Sequence, residues 1–310
     1  MQSEQIEDSV SSYRGLVVVL AVISMVFIVF EWKIFPVTFD NLGGMHSWLS
    51  GSTIKFVNNW LAEGPVALNF TNYELPLSVE HATLSSREGY ISYPTGETML
   101  VYLAARLSWQ MYIGIEFLKH VQLFLYWLET MLFALFVYIW LGDIARMTEN
   151  ARRAASVLLI TLWLALPANA WYMGNVFFSD QCVILWVFAF LLLDYLISRN
   201  NGINIKRVYI LQTIVIFAGI LTDYYFWVLL FVTLVFRCGR SVCLQRSFQE
   251  ILREVGWYFL PALLAVATFL AQLVCTPHWR DILLQKYLFR TGQTEYLTSH
   301  KMLEMIYDHL

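Results

Sequence analysis

Three aspartates stand beside long apolar runs in otherwise short polar stretches: Asp40 in "TFDNLGGMHSW", Asp180 in "NVFFSDQ" and Asp223 in "LTDYY". A carboxylate held where the dielectric changes from water to hydrocarbon can act as a general base, and it can equally bind a sugar hydroxyl or a divalent metal. Each has a plainer role as well, because an Asp that opens a helix satisfies free N–H groups there. His46 lies six residues beyond Asp40, with Gly43-Gly44 between them, where backbone can approach a ligand closely or simply turn. The region 36–118 adds Lys55, Glu63, Glu74, Glu80, His81, Arg87, Glu88 and Glu97 to this polar inventory. Glu129 and Asp194 fall inside apolar runs, where an ionisable residue is a functional candidate by default. Glu129 is expected to hydrogen-bond a neighbouring helix and Asp194 to reach the membrane interface.

These groups need elements to hold them, and composition sets the kind. The 310 residues are 58% hydrophobic and 14% charged, with a mean hydropathy of +0.57. Soluble domains carry about 25% charged residues, so the chain reads as an all-α polytopic membrane protein. Its net charge of −3 gives no reason to expect nucleic acid as a partner. Twelve Trp and 17 Tyr suit a chain with many membrane–water crossings. The four cysteines, Cys182, Cys238, Cys243 and Cys275, look unpaired. Cys238 and Cys243 would be half a zinc site, but no second pair lies near them in sequence. P-loop, G-x-S-x-G and H-E-x-x-H signatures are missing from the sequence.

Apolar runs predict spans over 15–35, 119–141, 154–171, 180–198, 208–221, 224–236 and 256–275, the first a retained helix rather than a cleaved signal. The fifth and sixth read as a hairpin about Asp223, since a carboxylate inside one continuous helix would be costly. Arg146, Arg152 and Arg153 fall in one loop, Arg199, Lys206 and Arg207 in a second, and Arg237, Arg240, Arg246 and Arg253 in a third. The alternate short loops contain no Lys or Arg, so the basic loops are assigned to the cytoplasm. Residues 36–118 then form a long outer first loop. Within it, 51–62 and 98–109 read as amphipathic interfacial helices, the former ended by Gly64-Pro65. The division expected is a cytoplasmic tail 1–14, a transmembrane module 15–275 of about seven spans, and an outer amphipathic segment 276–310, complete or the front of something longer.

The order of these parts resembles the polytopic glycosyltransferases of the GT-C fold, among them the bacterial relatives of protein O-mannosyltransferases and lipid A aminoarabinose transferase. The resemblance rests on Asp40 just after the first span, Tyr93-Pro94-Thr95-Gly96 before a short helix, Asp180 in "NVFFSDQ", and Gly219-Ile220-Leu221-Thr222-Asp223-Tyr224 at the hairpin. Asn41 stands where such proteins often have a second acid, and Asp223 where Lys is frequent. The resemblance implies transfer of a sugar from a polyprenyl-phosphate donor to a lipid, glycan or protein acceptor, with inversion, at the outer face of a bacterial inner membrane. It implies Asp40 as general base and Arg87 as the phosphate holder, with Lys55 and Arg106 as alternatives. His46, Glu88, Tyr93, Asp180 and Asp223 would line the substrate site, and a divalent metal near Asp40 and Asp180 is a candidate cofactor. Two other classes stay open on the residues alone. A non-catalytic subunit of an envelope or glycan assembly would have no cavity between Asp40 and Asp180, and a transporter would carry its ionisable groups near the bilayer midplane.

Overall fold

A computed structural model describes residues 2–34, 47–74, 89–144, 147–167, 169, 177–199 and 204–290. Asp40, His46, Glu80, His81, Arg87, Glu88, Arg146 and the segment 291–310 lie outside the described residues.

The described chain is nearly all helix. In order come α1 (Gln2–Val29) with a π-helical turn (Phe30–Ile34), α2 (Ser47–Glu63), β1 (Asn72–Tyr73), β2 (Gly89–Tyr90), α3 (Gly96–Leu107), α4 (Ile115–Ile144), α5 (Glu149–Ala165), α6 (Ser179–Arg199), α7 (Ile205–Thr222), α8 (Tyr224–Cys243), α9 (Phe248–Cys275) and α10 (Trp279–Arg290). The two strands pair antiparallel, Asn72 opposite Tyr90 and Tyr73 opposite Gly89.

Among the described residues six helices, α1 over Tyr13–Trp32 and α4, α6, α7, α8 and α9, are long and apolar enough to cross a membrane. Of the segment 154–171, also expected as a span, residues to Ala165 belong to α5, while 168 and 170–171 lie outside the described residues. Large apolar side chains point away from the bundle on several helices, Met25, Phe124, Leu158, Phe231 and Leu260 among them. A multi-pass membrane protein accounts for that surface, because lipid replaces water as its solvent.

The bundle has two lobes joined through α4 and α6. In one, α1, α4 and α5 enclose Ile23, Phe27, Tyr126, Tyr138 and Ile160. In the other, α6, α7, α8 and α9 enclose Phe190, Ile216, Phe226 and Tyr258. A third core, with Val57, Val101, Ile113, Leu118 and Phe177, fastens α2 and α3 over one end of the helices. The α2 helix, expected over 51–62, stops at Gly64, whose φ of +88° favours glycine. The α3 helix does more than lie at an interface. It buries Glu97, Thr98, Val101 and Ala105, while Leu107, Trp109, Met111 and Tyr112 beyond it are exposed.

The opposite end of the bundle carries the basic loops and is tied by ion pairs. Asp194 does not simply reach an interface. Its Oδ1 accepts from Arg237 Nη2 at 2.7 Å and from Tyr258 OH at 2.6 Å. Arg237 Nη1 also donates to Glu254 at 2.7 Å. This network explains why α8 runs to Cys243 rather than ending near 236: its first arginine is neutralised by neighbours and need not leave the helix. Glu129, expected to hydrogen-bond a neighbouring helix, is fully buried in α4 beside the Leu185 backbone of α6.

Candidate functional site

The end of the bundle covered by α2 and α3 brings together three segments distant in sequence. The first is the α7–α8 corner. Asp223 adopts extended backbone (φ −156°, ψ 155°), which stops α7, and its Oδ1 then accepts from Tyr225 N at 2.9 Å to begin α8. Gly219 allows the turn back, since a Cβ there would lie 2.5 Å from the Phe226 ring. The cap role foreseen for Asp223 is therefore present, but it uses only one oxygen. The other, Oδ2, accepts from Ser179 Oγ at 2.7 Å.

Ser179 opens the second segment, the first turn of α6. Asp180 follows it, exposed at the surface, and its carboxyl lies beside that of Asp223. Phe178, one residue before Ser179, packs edge-on against Tyr93 with ring centroids 5.1 Å apart.

Tyr93 belongs to the third segment, Tyr93-Pro94-Thr95-Gly96. Its ring also meets that of Tyr224 at 5.9 Å. Gly96 lies so close to the α7 end that a Cβ would stand 2.4 Å from the Leu221 carbonyl oxygen. That approach puts Glu97, in the first turn of α3, inside the protein. Its Oε1 accepts from Thr53 of α2. Burial pushes the Glu97 carboxyl up to about 8, with the charges of Asp180 and Asp223 adding to the rise and the Thr53 hydroxyl opposing it. Glu97, Asp180 and Asp223 therefore form one electrostatic unit, with Asp180 its exposed member. Among the described residues no group of three His, Cys, Asp or Glu side chains has a metal-holding arrangement.

The surrounding frame is held by hydrogen bonds across long sequence separations. Asn59 Nδ2 donates to the Tyr73 carbonyl at 2.8 Å and Trp60 Nε1 to the Thr71 carbonyl at 3.0 Å, fixing the strand pair on α2. Thr71 and Thr276 share a hydroxyl hydrogen bond at 3.0 Å, and Gln272 Nε2 donates to Thr95 Oγ1 at 3.0 Å. The end of α9 thus anchors both the strands and the turn before α3. Ser50 Oγ accepts from Phe177 N at 3.0 Å, tying α2 to the entrance of α6.

Of the residues singled out from sequence, Tyr93, Asp180 and Asp223 meet here. Lys55 is in an ion pair with Glu74 on the rim. Arg106 is exposed nine residues beyond Glu97 on α3, about 13 Å along the axis by helical rise, and is not brought into the cluster. Asp40, His46, Arg87 and Glu88 lie outside the described residues. Glu97, Thr53 and Ser179 are the members that sequence reading did not assign. For Glu97 the usable signal was its position directly after Tyr-Pro-Thr-Gly, where an acid also reads as an ordinary helix-start charge.

Compared with family models, curated proteins and solved structures, the chain finds no match in any of the three.

Proposed function

We propose that this protein is an inverting membrane glycosyltransferase that takes its sugar from a polyprenyl-phosphate donor, with the transfer site at the end of the bundle where Asp180 and Asp223 meet. One observation carries the reading: Tyr93, Asp180 and Asp223, from the three described motifs of the GT-C resemblance, converge on one carboxylate cluster although 87 and 43 positions separate them in turn. Such clustering at a bundle end suits a substrate whose lipid stays in the membrane while its sugar stands in water.

In the proposed reaction an acceptor hydroxyl attacks the anomeric carbon as the bond from that carbon to the phosphate oxygen breaks. The new bond forms on the opposite face, and the lipid phosphate leaves with the bonding electrons. Asp40 takes the hydroxyl proton, a contribution of about 10²–10⁴-fold. Asp180 orients sugar or acceptor hydroxyls, while Ser179 fixes Asp223 beside it. The remaining acceleration comes from positioning and from stabilising the phosphate charge. Assigned to the basic side, the cytoplasm puts this site on the outer face of a bacterial inner membrane.

The test is transfer from radiolabelled polyprenyl-phosphate sugars in membranes containing the wild type, Asp40→Asn or Asp180→Asn at matched expression. Transfer by the wild type that collapses in both variants supports the reading. Transfer unaffected by Asp180→Asn removes the cluster from the reaction, and transfer unaffected by Asp40→Asn removes the base. Inactivity of the wild type across a panel of donors turns the reading toward an accessory subunit.

A further inference from the structure

A cavity of about 810 Å³ opens at the basic end of the bundle between the ends of α6 and α8 and the starts of α7 and α9. That size lies within the roughly 300–1,000 Å³ typical of small-molecule sites. Five cations line it, Lys206, Arg237, Arg240, Arg246 and Arg253, against three carboxylates, Asp194, Glu250 and Glu254.

The cations divide into two sets. Arg237 is consumed by Asp194 and Glu254, and Arg246 donates to Glu254 at 2.9 Å. Glu250 is engaged in the capping box with Ser247 that starts α9. The side chains of Lys206, Arg240 and Arg253 make no hydrogen bond or ion pair among the described residues, and all three residues are exposed. The paired set builds a rigid floor, and the unpaired set leaves positive charge at the mouth.

Apolar wall residues identify the kind of anion. Ile197, Ile205 and Phe236 line the same cavity as the charges, and Tyr209 stacks on Trp257 with centroids 5.0 Å apart. Phe236 is 68% exposed on a helix long and apolar enough to span a membrane, so the cavity is open toward the region that acyl chains occupy. A soluble anion needs only the cations, whereas a phospholipid uses both walls.

We propose that this cavity is a binding site for the phosphate headgroup of an anionic phospholipid, with Lys206, Arg240 and Arg253 as its ligands. Basic pockets between spans at the membrane surface hold such headgroups through the same chemistry. The site is separate from the carboxylate cluster, at the opposite end of α7 and α8.

The experiment reconstitutes the full chain in phosphatidylcholine nanodiscs containing phosphatidylglycerol and measures protein-retained phosphatidylglycerol by native mass spectrometry. The wild type is compared with the Arg240→Gln/Arg253→Gln variant and with Arg14→Gln/Arg207→Gln, which removes two charges from the same end outside the cavity. Each surface Lys or Arg is worth about fivefold in anionic-lipid affinity, so the cavity variant is expected to lose about 25-fold. The control variant, whose charges lie outside the cavity, is expected to lose clearly less than the cavity variant, and Arg240→Lys/Arg253→Lys, which keeps the charges, is expected to retain wild-type binding. Equal loss in the cavity and control variants would overturn the site in favour of diffuse surface charge. Full displacement of the lipid by millimolar inorganic phosphate would assign the cavity to a free anion. Unchanged retention in the cavity variant, with wild-type elution and thermal stability, would remove it altogether.

Discussion

Replacing Gly96 by alanine tests the close approach that buries Glu97. The added Cβ would lie 2.4 Å from the Leu221 carbonyl oxygen, 2.7 Å from its carbon and 2.7 Å from Thr222 Oγ1. Relaxed contacts need about 3.5 Å, so α3 must retreat from the α7–α8 corner by on the order of 1 Å. The two nearest atoms are backbone at a helix end, and neither can swing aside as a flexible side chain would. Overpacking of this kind costs about 1–3 kcal/mol, while loss of glycine's backbone freedom returns only about 0.5–1 kcal/mol. With contacts this short the packing cost falls in the upper part of its range, about 2–3 kcal/mol, leaving a net destabilisation of about 1–2.5 kcal/mol and a fall in apparent Tm of about 2–10 °C. Gly51→Ala is the matched control: Gly51 is exposed in α2, and a Cβ there meets nothing within 4 Å. Thermal unfolding of the purified variants in one detergent reads both changes. Gly96→Ala should fall and Gly51→Ala should hold or rise. A Gly96→Ala protein as stable as the wild type would refute the packing of α3 on the corner, and with it the burial of Glu97.

Two further perturbations follow from the same structure. Glu97 keeps its proton to about pH 8 when folded but ionises near its ordinary value of 4.5 when unfolded. Folding therefore takes up a proton between those limits, and the Glu97 contribution to stability falls as pH rises from about 4.5 to about 8. Glu97→Gln should flatten that part of the profile of Tm against pH; a profile parallel to the wild type's would contradict the assigned burial. At the other end, Arg237→Ala leaves Asp194 and Glu254 without their shared cation, with side chains only 20% exposed. Removing one partner of a buried pair costs about 3–5 kcal/mol, so the variant should lose most of its folded yield in detergent, and normal yield and Tm would show that the network is dispensable.

The sequence was most legible where local chemistry and packing agree. Apolar runs located the long helices, Gly64-Pro65 marked the end of α2, and Asp223 marked the α7–α8 corner because a carboxylate inside one continuous apolar helix would be costly. Boundaries were misjudged where a tertiary partner changed the cost of a charge. Arg237 looked like the start of a loop, yet its pairing with Asp194 and Glu254 lets α8 continue to Cys243. The start of α9 at Phe248, where a loop running to the span at 256 was expected, was missed although Ser247 and Glu250 have the spacing of a capping box. The contact of Glu97 with Thr53 was out of reach, because two helix faces 44 residues apart leave no periodic trace of their meeting. For Asp180 the sequence supplied the residue, but not the neighbouring carboxyl of Asp223.

The central claim is that the sugar donor binds at the end of the bundle bearing Tyr93, Asp180 and Asp223. Photolabelling with a polyprenyl-phosphate sugar that carries a photoreactive group beside the phosphate, followed by peptide mapping of the wild-type chain in membranes, tests it most directly. The account predicts label on residues 89–97, 177–182 or 221–225, displaced by unmodified donor. Displaceable label confined to the opposite end, around Lys206 to Arg253, or no displaceable label at all, would contradict it.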